Sequence, residues 1–294
     1  MQTICNYEGE FAANLDRWPA SKGPVQLYTT RGDRCNRSIA RGCEDRTPRR
    51  SSARRRIDAT GLSPEAVKKS LQRLVKRKRV VRVKDYFYVI VPTEYMHAGS
   101  PPASWFVSDL MGAMGQPYYV GLLSAAALHG ASHHQPQEFQ IITNRSQRPI
   151  EVARQRIHFF VKRRMEDTPV TDVKTPAGYV RVSTLEATAL DLVRFSRAVG
   201  YLGNVATVLG DLAERIDPDA LVDAAKREGH LPTVQRLGFL LELADSTALA
   251  EPLATFVARR HPRAVPLRTD HTASSAPRDP RWKVFVNETV EAET

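Results

Sequence analysis

The sequence lacks any long apolar run, although the chain has 294 residues. No stretch approaches the roughly 20 apolar residues that a membrane-spanning helix requires. The first residues, MQTICNYEGEF, contain neither the basic leader nor the apolar segment of a signal peptide. We therefore expect a cytoplasmic protein without membrane-spanning helices.

Cysteine is also scarce. The chain has three cysteines, Cys5, Cys35 and Cys43, without CxxC spacing and without clustered histidines. This pattern argues against a disulfide framework and against a structural zinc site. We interpret the three side chains as free thiols.

The motifs of several enzyme classes are missing as well. The sequence contains no GxSxG, no P-loop, no HExxH and no GxGxxG after a predicted strand. Glu186 and Asp191 lie on one predicted helix but do not share a face, so we do not expect a paired-carboxylate site. We interpret Glu186 as part of a helix cap and Asp191 as a surface or helix-pairing residue. No catalytic residue is predicted, and we do not expect an enzyme.

Histidines are the remaining candidates for a chemical site. A metal could be considered at His129, His133 and His134, with His158 downstream, but Leu-His-Gly followed by Ser-His-His is more typical of a polar helix end. We expect neither a metal nor a cofactor. An enzymatic site in the later two-thirds of the chain, using His129 or His133, is the alternative hypothesis.

Positive charge is present in excess and is concentrated at one end. The formal net charge is +11; residues 1–91 contain 21 Lys and Arg against 9 Asp and Glu, whereas residues 92–294 contain 22 against 23. A basic block of this size attracts polyanions, so nucleic acid is the first candidate partner. A solvated basic face, ribosome association and a membrane surface are alternatives that charge alone leaves open.

The first part of this basic block shows little periodicity. The segment RGDRCNRSIARGCEDRTPRRSSARRR is rich in Arg and Ser and indicates a loop or a flexible basic arm. A short strand is expected within residues 23–29, and a short helix from Ala53 to Ala59.

A helix-turn-helix is predicted next. Thr60-Gly61-Leu62 supplies a tight turn, Ser63 caps a second helix and Pro64 takes its first position. One apolar stripe on this helix contains Val67, Leu71, Leu74 and Val75. The basic side chains cover the opposite half of the helix and are expected to face outward.

The pattern then changes from helical to extended. Val80–Val83 and Tyr86–Val91, joined by a turn at Lys84-Asp85, predict a β-hairpin. A helix-turn-helix followed directly by a hairpin is the order of a winged helix, with the hairpin as the wing. We therefore predict a winged helix-turn-helix domain in residues 1–97, in which 1–52 are poorly defined.

The candidate DNA-contacting residues follow from this arrangement. Base or near-base contacts are expected from side chains that suit guanine or adenine edges, namely Lys68, Lys69, Gln72 and Arg73. Phosphate contacts are expected from Lys76, Arg77 and Lys78, and backbone or minor-groove contacts from Arg82 and Lys84 on the wing. Ser63 caps the recognition helix, and Arg54, Arg55 and Arg56 are expected to add phosphate or minor-groove contacts.

Residues 98–294 predict a mixed α/β domain, so the fold class of the whole chain is α/β (α+β). Helices are expected at Trp105–Met114, at Tyr118–Ala131, from Ser183 as cap to Phe195, and in four segments between residues 203 and 260. Strands are expected at Phe139–Thr143, Ile157–Val161, Gly178–Val182 and Trp282–Val286.

Several blocks of this later domain resemble a known family. YYVGLLSAAALHGASHH (118–134), PQEFQIITN, VRVSTLEATALDLVRF (180–195) and VQRLGFLLELA (234–244) resemble the C-terminal domain of AbiEi antitoxins, and LSPEAVKKSLQRLVKRKRVVRVKDYFYVIVP is similar to the family's winged-helix module. The resemblance implies an antitoxin of a type IV toxin–antitoxin system. Such a protein represses its own operon by binding inverted repeats in double-stranded DNA, and it counteracts a nucleotidyltransferase-like toxin directly or indirectly.

One segment departs from the family pattern. The first helix of the winged domain should be an apolar-periodic segment before residue 53, but residues 30–56 are Arg-rich and irregular.

An interaction scaffold whose basic domain binds RNA is a further hypothesis for this chain. The lack of an aromatic stacking surface in the basic domain argues mildly against it.

Overall fold

The computed structural model describes residues 26–28, 55–56, 64–84, 87–131 and 136–290. The described residues form eight α-helices and three β-sheets, so the predicted mixed α/β class is confirmed at this level. The chain divides into two compact units. Unit 1 comprises Met1–Pro117, Arg148–His158 and Lys174–Val180, and unit 2 comprises Tyr118–Gln147, Phe159–Val173 and Arg181–Thr294.

The described residues of unit 1 include a four-stranded sheet and two helices. Its strands are β1 (Gln26–Tyr28), β2 (Arg55–Arg56), β3 (Val80–Lys84) and β4 (Phe87–Ile90), in the order β2-β1-β4-β3. Helix α1 (Pro64–Lys76) precedes β3, and α2 (Val107–Ala113) follows a one-turn 3-10 helix at Ala103–Trp105. The short strand expected in residues 23–29 is therefore present as β1.

The expectation of a short helix over Ala53–Ala59 is wrong at Arg55 and Arg56. These two residues form β2 and pair antiparallel with β1, with Arg56 opposite Gln26. Pairing of this kind satisfies backbone N–H and C=O groups of β1, a long-range requirement that a local helical pattern does not reveal.

The hairpin of β3 and β4 is present and contains an irregularity. Val80 pairs with Ile90, and the register shifts between Arg82 and Lys84. Val80 and Val83 are both buried, although residues three apart on a regular strand face opposite sides. The register shift between Arg82 and Lys84 is a β-bulge or a similar irregularity, which changes the regular alternation of side chains along the strand.

A second sheet in the described part of the chain has six strands. The strands are β5 (Tyr118–Val120), β6 (Glu138–Thr143), β7 (Ile150–Val152), β8 (Gln155–Val161), β9 (Val170–Thr175) and β10 (Gly178–Ser183), in the order β7-β8-β6-β5-β10-β9. Strand β5 pairs antiparallel with β6 and parallel with β10. The strands predicted near residues 139, 157 and 178 are confirmed, whereas β7 and β9 were not predicted.

The helix predicted from Tyr118 to Ala131 is only partly correct. Tyr118–Val120 form β5, and helix α3 runs from Leu122 to Leu128. Gly121 separates the two elements, and a Cβ at this position would lie 2.7 Å from Cδ1 of Ile142 on the neighbouring strand. The two aromatic residues and the valine of β5 favour a strand, and pairing on both sides overrides the helical pattern that continues after them.

Five longer helices complete unit 2: α4 (Leu185–Arg194), α5 (Tyr201–Ala213), α6 (Pro218–Glu228), α7 (Leu231–Leu243) and α8 (Thr247–Ala258). Ser183 does not cap α4 as predicted, because it ends β10. Thr184 is the cap, and its hydroxyl accepts a hydrogen bond from the Ala187 N–H at 3.4 Å. The Ser183 hydroxyl lies 2.7 Å from that of Thr188 instead.

The C-terminal segment packs against α7. It forms a small sheet of β11 (Val265–Pro266), β12 (Arg278–Asp279) and β13 (Val284–Phe285), in the order β11-β13-β12. Trp282, which was predicted to begin the last strand, lies before it and is completely buried. Gly238 on α7 provides the space, because a Cβ there would lie 1.9 Å from Cζ3 of the Trp282 ring. The Gln235 amide donates to the carbonyl oxygen of Trp282 at 3.0 Å.

None of the helices in the described part of the chain is both long enough and apolar enough to cross a membrane.

Candidate functional site

Helix α1 carries the largest set of predicted site residues. Leu71 is buried and fixes one side of the helix. With 3.6 residues per turn, Lys68, Gln72 and Lys76 fall on an arc of about 80° that begins about 60° from the direction of Leu71. The predicted contact residues exposed on the side of this arc are Lys68, Lys69, Gln72, Arg73 and Lys76, and the exposed Glu65 of the first turn lies on the same side. The structure therefore brings all five onto one solvent-facing surface, which we call the basic face.

The apolar side of α1 is narrower than predicted. Leu74 is half-buried and Val75 is 40% exposed, although both were expected to belong to the packed stripe. Val75 lies in the last turn of the helix, between the direction of Leu71 and that of Lys68, so the core reaches only part of its side chain. The side chain of Val67 is outside the described residues.

The end of α1 extends the positive surface. Lys78 adopts a positive φ of 55°, and the Arg79 N–H bonds to the Leu74 carbonyl at 3.0 Å, which closes the helix. Arg77, Lys78 and Arg79 are all exposed. The chain then enters β3 directly, so the helix and the hairpin are separated by three residues.

The charge of this segment is strongly one-sided. Residues 64–84 contain nine Lys and Arg and one acidic residue, Glu65. Among the described residues, no carboxylate forms an ion pair with the basic side chains of α1. Glu65 lies in the first turn, where a carboxylate complements the helix dipole. The basic face is therefore not neutralised within the described part of the protein.

The hairpin presents its two predicted residues differently. Arg82 is exposed, whereas Lys84 is half-buried and its Nζ lies 3.8 Å from Sδ of Met114. Residues 85 and 86 at the turn are outside the described residues. Arg82 is therefore the more accessible of the two.

Four further predicted residues cannot be placed as side chains. Ser63 and Arg54 lie outside the described residues, and only the backbone of Arg55 and Arg56 is described, as strand β2. Their predicted contacts stay predictions.

The histidine candidates do not form a described metal centre. The Nε2 atom of His129 lies 2.7 Å from the backbone carbonyl oxygen of Ser183. His133 and His134 lie outside the described residues. In the part of the chain that the structure describes, no three His, Cys, Asp or Glu side chains are grouped in a way that could hold a metal ion.

Unit 2 contains a buried network of charges that the sequence reasoning missed. Lys162 follows β8, and its Nζ lies 2.8 Å from Oδ1 of Asp191 on α4 and 2.7 Å from Oε2 of Glu228 on α6. The side chains of these three residues are 4%, 0% and 2% exposed, respectively. Arg194 adds a second cation, with Nη1 2.5 Å from Oε1 of Glu228. The expectation of a surface role for Asp191 is therefore wrong, whereas its alternative role in helix pairing agrees with a network that links α4 to α6 through Lys162.

The Asp191 carboxylate has a third partner in Tyr119. The phenol of Tyr119 donates a hydrogen bond to Oδ2 of Asp191 at 2.8 Å. Burial and the nearby carboxylate raise the pKa of Tyr119, which therefore keeps its proton and acts as a donor. Burial also raises the pKa of Asp191, and the adjacent Lys162 opposes this effect.

The geometry of the network gives it a structural role. Two cations and two carboxylates balance one another, and Arg194 alone is appreciably exposed, at 28%. The interactions join β5, the end of β8, α4 and the end of α6 in one place. One signal in the sequence could have indicated this role. In the largely apolar segment LEATALDLVRF, Asp191 is the one carboxylate that follows Glu186. A carboxylate in such a run is rarely buried without a partner.

Comparison with known proteins supports the family resemblance. Residues 119–243 match the family model described as the AbiEi antitoxin C-terminal domain. The predicted resemblance to AbiEi antitoxins is therefore confirmed over this segment, which contains Tyr119, Lys162, Asp191 and Glu228. A comparison with curated proteins finds no match.

Among solved structures, the chain is similar to the crystal structure of the RV2827C protein from Mycobacterium tuberculosis. The TM-score is 0.51 at 16% sequence identity, and the alignment covers 76% of this chain and 80% of that chain. At this identity the likeness concerns the fold.

Proposed function

We propose that this chain, whose residues 119–243 match the AbiEi antitoxin C-terminal domain, is a DNA-binding autorepressor and the antitoxin of a type IV toxin–antitoxin system. The observation that carries the DNA-binding part is the basic face of α1. An antitoxin domain implies a toxin partner in general. The proposed partner is a nucleotidyltransferase-like toxin, counteracted directly or indirectly, and the proposed operator is an inverted repeat in the protein's own promoter.

The dimensions of α1 suit the major groove. A helix of 13 residues is about 20 Å long, and its cylinder fits a groove about 12 Å wide. Leu71 holds the opposite side against the core, so the basic face is the side that can approach a ligand. Lys68, Lys69, Gln72 and Arg73 are then positioned to read base edges, and Lys76 lies closer to the phosphates.

The hairpin supports a second contact to the same duplex. It follows α1 after three residues, and Arg82 is exposed on β3. A cationic side chain on a wing contacts phosphates or the minor groove, and it fixes register without reading sequence. Those basic residues of this segment that contact phosphates would release condensed counterions on binding, which makes the affinity dependent on salt.

Mobility shifts with the full chain test DNA recognition. The protein is expected to bind the DNA upstream of its own gene more tightly than shuffled DNA of the same composition. Lys69→Ala and Arg73→Ala should weaken this binding because each removes one cation from the basic face. Arg259→Ala, which removes an exposed arginine directly after α8 in unit 2, is the matched control and should bind normally. Equal affinity for shuffled DNA or for structured RNA would contradict the proposal.

Antitoxin activity is tested separately by co-expression with the product of the neighbouring gene. If that product is the toxin, it should arrest growth alone and be neutralised by this chain. Arg73→Ala should still neutralise it when expressed from a foreign promoter, because the family match at residues 119–243 does not include the basic face. Growth arrest that persists with wild-type protein would contradict the antitoxin assignment and leave the DNA-binding result unaffected.

A further inference from the structure

A cavity in unit 2 lies beside a buried arginine that has no carboxylate partner. The cavity has a volume of about 190 Å³ and is formed by the end of α4, the 3-10 turn at Ser196–Ala198, Arg236 on α7 and the segment after β11. One water molecule occupies about 30 Å³ of liquid volume, so the space exceeds that of a single structural water.

Arg236 is the central residue of this cavity. The residue is only 9% exposed. Its Nε donates a hydrogen bond to the carbonyl oxygen of Pro266 at 2.8 Å. Within the described part of the chain this carbonyl is its one partner, and no carboxylate lies within ion-pair distance. A guanidinium has five N–H donors, so four have no described protein acceptor. Arg236 lines the cavity, so a ligand in this space could reach these donors.

The surrounding charges leave this cation uncompensated. Lys162 and Arg194 are balanced by Asp191 and Glu228 in the buried network. Arg197 lies 4.0 Å from Asp270, which also accepts hydrogen bonds from Arg268, and Arg268 contacts Glu288. These four cations face four carboxylates, and Arg236 adds a fifth cation.

Desolvation makes such an excess cation costly unless an anion joins it. Burial lowers the pKa of the Arg236 guanidinium, and no carboxylate offsets this effect. An arginine nevertheless keeps its charge at neutral pH. The lining contains Arg194 and Arg197 as well as Ser196 and Thr269, whose hydroxyls can donate hydrogen bonds, and it contains no described carboxylate. Guanidinium and hydroxyl donors together suit a tetrahedral oxyanion.

We propose that this cavity binds a phosphate group, with Arg236 as the buried anchor and Arg197 as the cation at the entrance. The cavity lies in unit 2 and uses none of the residues of the basic face, so the proposal goes beyond the proposed DNA-binding function and does not depend on it. The ligand presents a phosphate group, which is either a free ion or part of a small organic molecule.

Calorimetric titration of the full chain with inorganic phosphate at constant ionic strength tests the proposal. Constant ionic strength and a direct binding signal matter because phosphate also stabilises proteins non-specifically by exclusion from their surface. Wild-type protein is expected to bind one phosphate saturably. Arg236→Met and Arg197→Ala should each weaken binding by roughly tenfold or more, as expected for loss of a charge-assisted hydrogen bond.

Two control variants separate this site from other positive surfaces. Arg259→Ala removes an exposed arginine of unit 2, and Arg73→Ala removes one from the basic face. Both should bind phosphate as the wild type does. Arg236→Lys keeps the charge but loses the planar set of donors. If circular dichroism shows that Arg236→Met does not fold, the comparison of Arg236→Lys and Arg197→Ala with the wild type decides the outcome. Unchanged affinity in both, or no saturable binding by the wild type, would overturn the proposal.

The source of the phosphate is tested in parallel. A mononucleoside monophosphate is titrated beside the nucleoside that lacks the phosphate and beside acetate. Competition between the nucleotide and inorganic phosphate, with no binding of the nucleoside, would support a phosphate carried by an organic molecule. Binding of inorganic phosphate alone would support a free ion. Equal binding of acetate, or binding of the nucleoside in place of phosphate, would overturn the assignment to a phosphate group.

Discussion

Lys162→Met removes the cation that joins two buried carboxylates. In the variant, Glu228 keeps its contact with Arg194 at 2.5 Å, whereas Asp191 keeps only the hydrogen bond from Tyr119. Asp191 is completely buried, so water cannot replace the lost ammonium. Removing one partner of a buried ion pair costs about 3–5 kcal/mol. We expect a decrease of this size in the free energy of unfolding at neutral pH.

The loss should depend on pH in a definite direction. Burial raises the pKa of Asp191 above its ordinary value of 3.8, and Lys162 lowers it. Without Lys162 the pKa of Asp191 in the folded state rises further. A carboxyl group of this kind contributes stability that is fully present below its unfolded pKa and is lost as the pH rises through its folded pKa. Lys162→Met should therefore cost less at about pH 5 than at about pH 8.

Urea unfolding followed by circular dichroism measures both effects, and two further variants serve as controls. Lys226→Met removes a contact of 2.6 Å to Asp223 in which both side chains are more than half exposed, so its effect should be small at every pH. Lys162→Met combined with Asp191→Asn removes both charges and should recover part of the stability lost in Lys162→Met alone. A loss that is independent of pH, or a double variant as unstable as the sum of the single ones, would refute the reasoning.

Further predictions concern packing and capping in unit 2, and each is checked by the urea midpoint of the variant. Gly238→Ala should destabilise the protein by about 3 kcal/mol, because the new Cβ would lie 1.9 Å from the Trp282 ring. Gly210→Ala should instead stabilise it by about 0.5–1 kcal/mol, because the new Cβ would meet no atom within 4 Å beyond its chain neighbours and the backbone of its own helix. Similar effects of the two changes would contradict the packing account. Thr184→Ala should cost about 1 kcal/mol because the Ala187 N–H loses its cap, and an unchanged midpoint would argue against that cap.

The parts of the fold that follow local patterns were predictable from the sequence. Helix α1 and the β3–β4 hairpin follow directly from the change between helical and alternating periodicity after Lys78. The helices from Tyr201 to Ala258 were also predicted, because each has an apolar face and a Gly or Pro at or near one of its ends. These signals lie within a few residues of the element that they specify.

The errors arise where distant parts of the chain decide the outcome. Tyr118–Val120 lie next to a helical pattern, but pairing with β6 and β10 makes them a strand. Asp191 was interpreted by its helical neighbours, whereas its partner Lys162 is 29 residues away along the chain. The capping pattern at Ser183 was displaced by one residue because β10 continues through that position.

The candidate DNA-binding surface was predictable as a set of residues but not in its detail. Periodicity places Lys68, Gln72 and Lys76 on one side, and the structure shows these side chains exposed. Periodicity alone could not indicate that Lys84 would lie beside Met114 while Arg82 stays exposed, because the contact between Lys84 and Met114 joins residues 30 apart along the chain. The cavity around Arg236 was not predictable either, since its lining comes from four separate elements.

Binding of the full chain to its own upstream DNA, measured by fluorescence anisotropy across a range of salt concentrations, tests the central claim most directly. Lys76→Ala should lower the steepness of log affinity against log salt by about 0.9, the value for one phosphate contact. Gln72→Ala should leave this slope unchanged and reduce the preference for the upstream DNA over shuffled DNA, because an amide reads bases without releasing a counterion. Equal affinity of the wild type for both DNAs, with no change of slope in Lys76→Ala, would contradict the account.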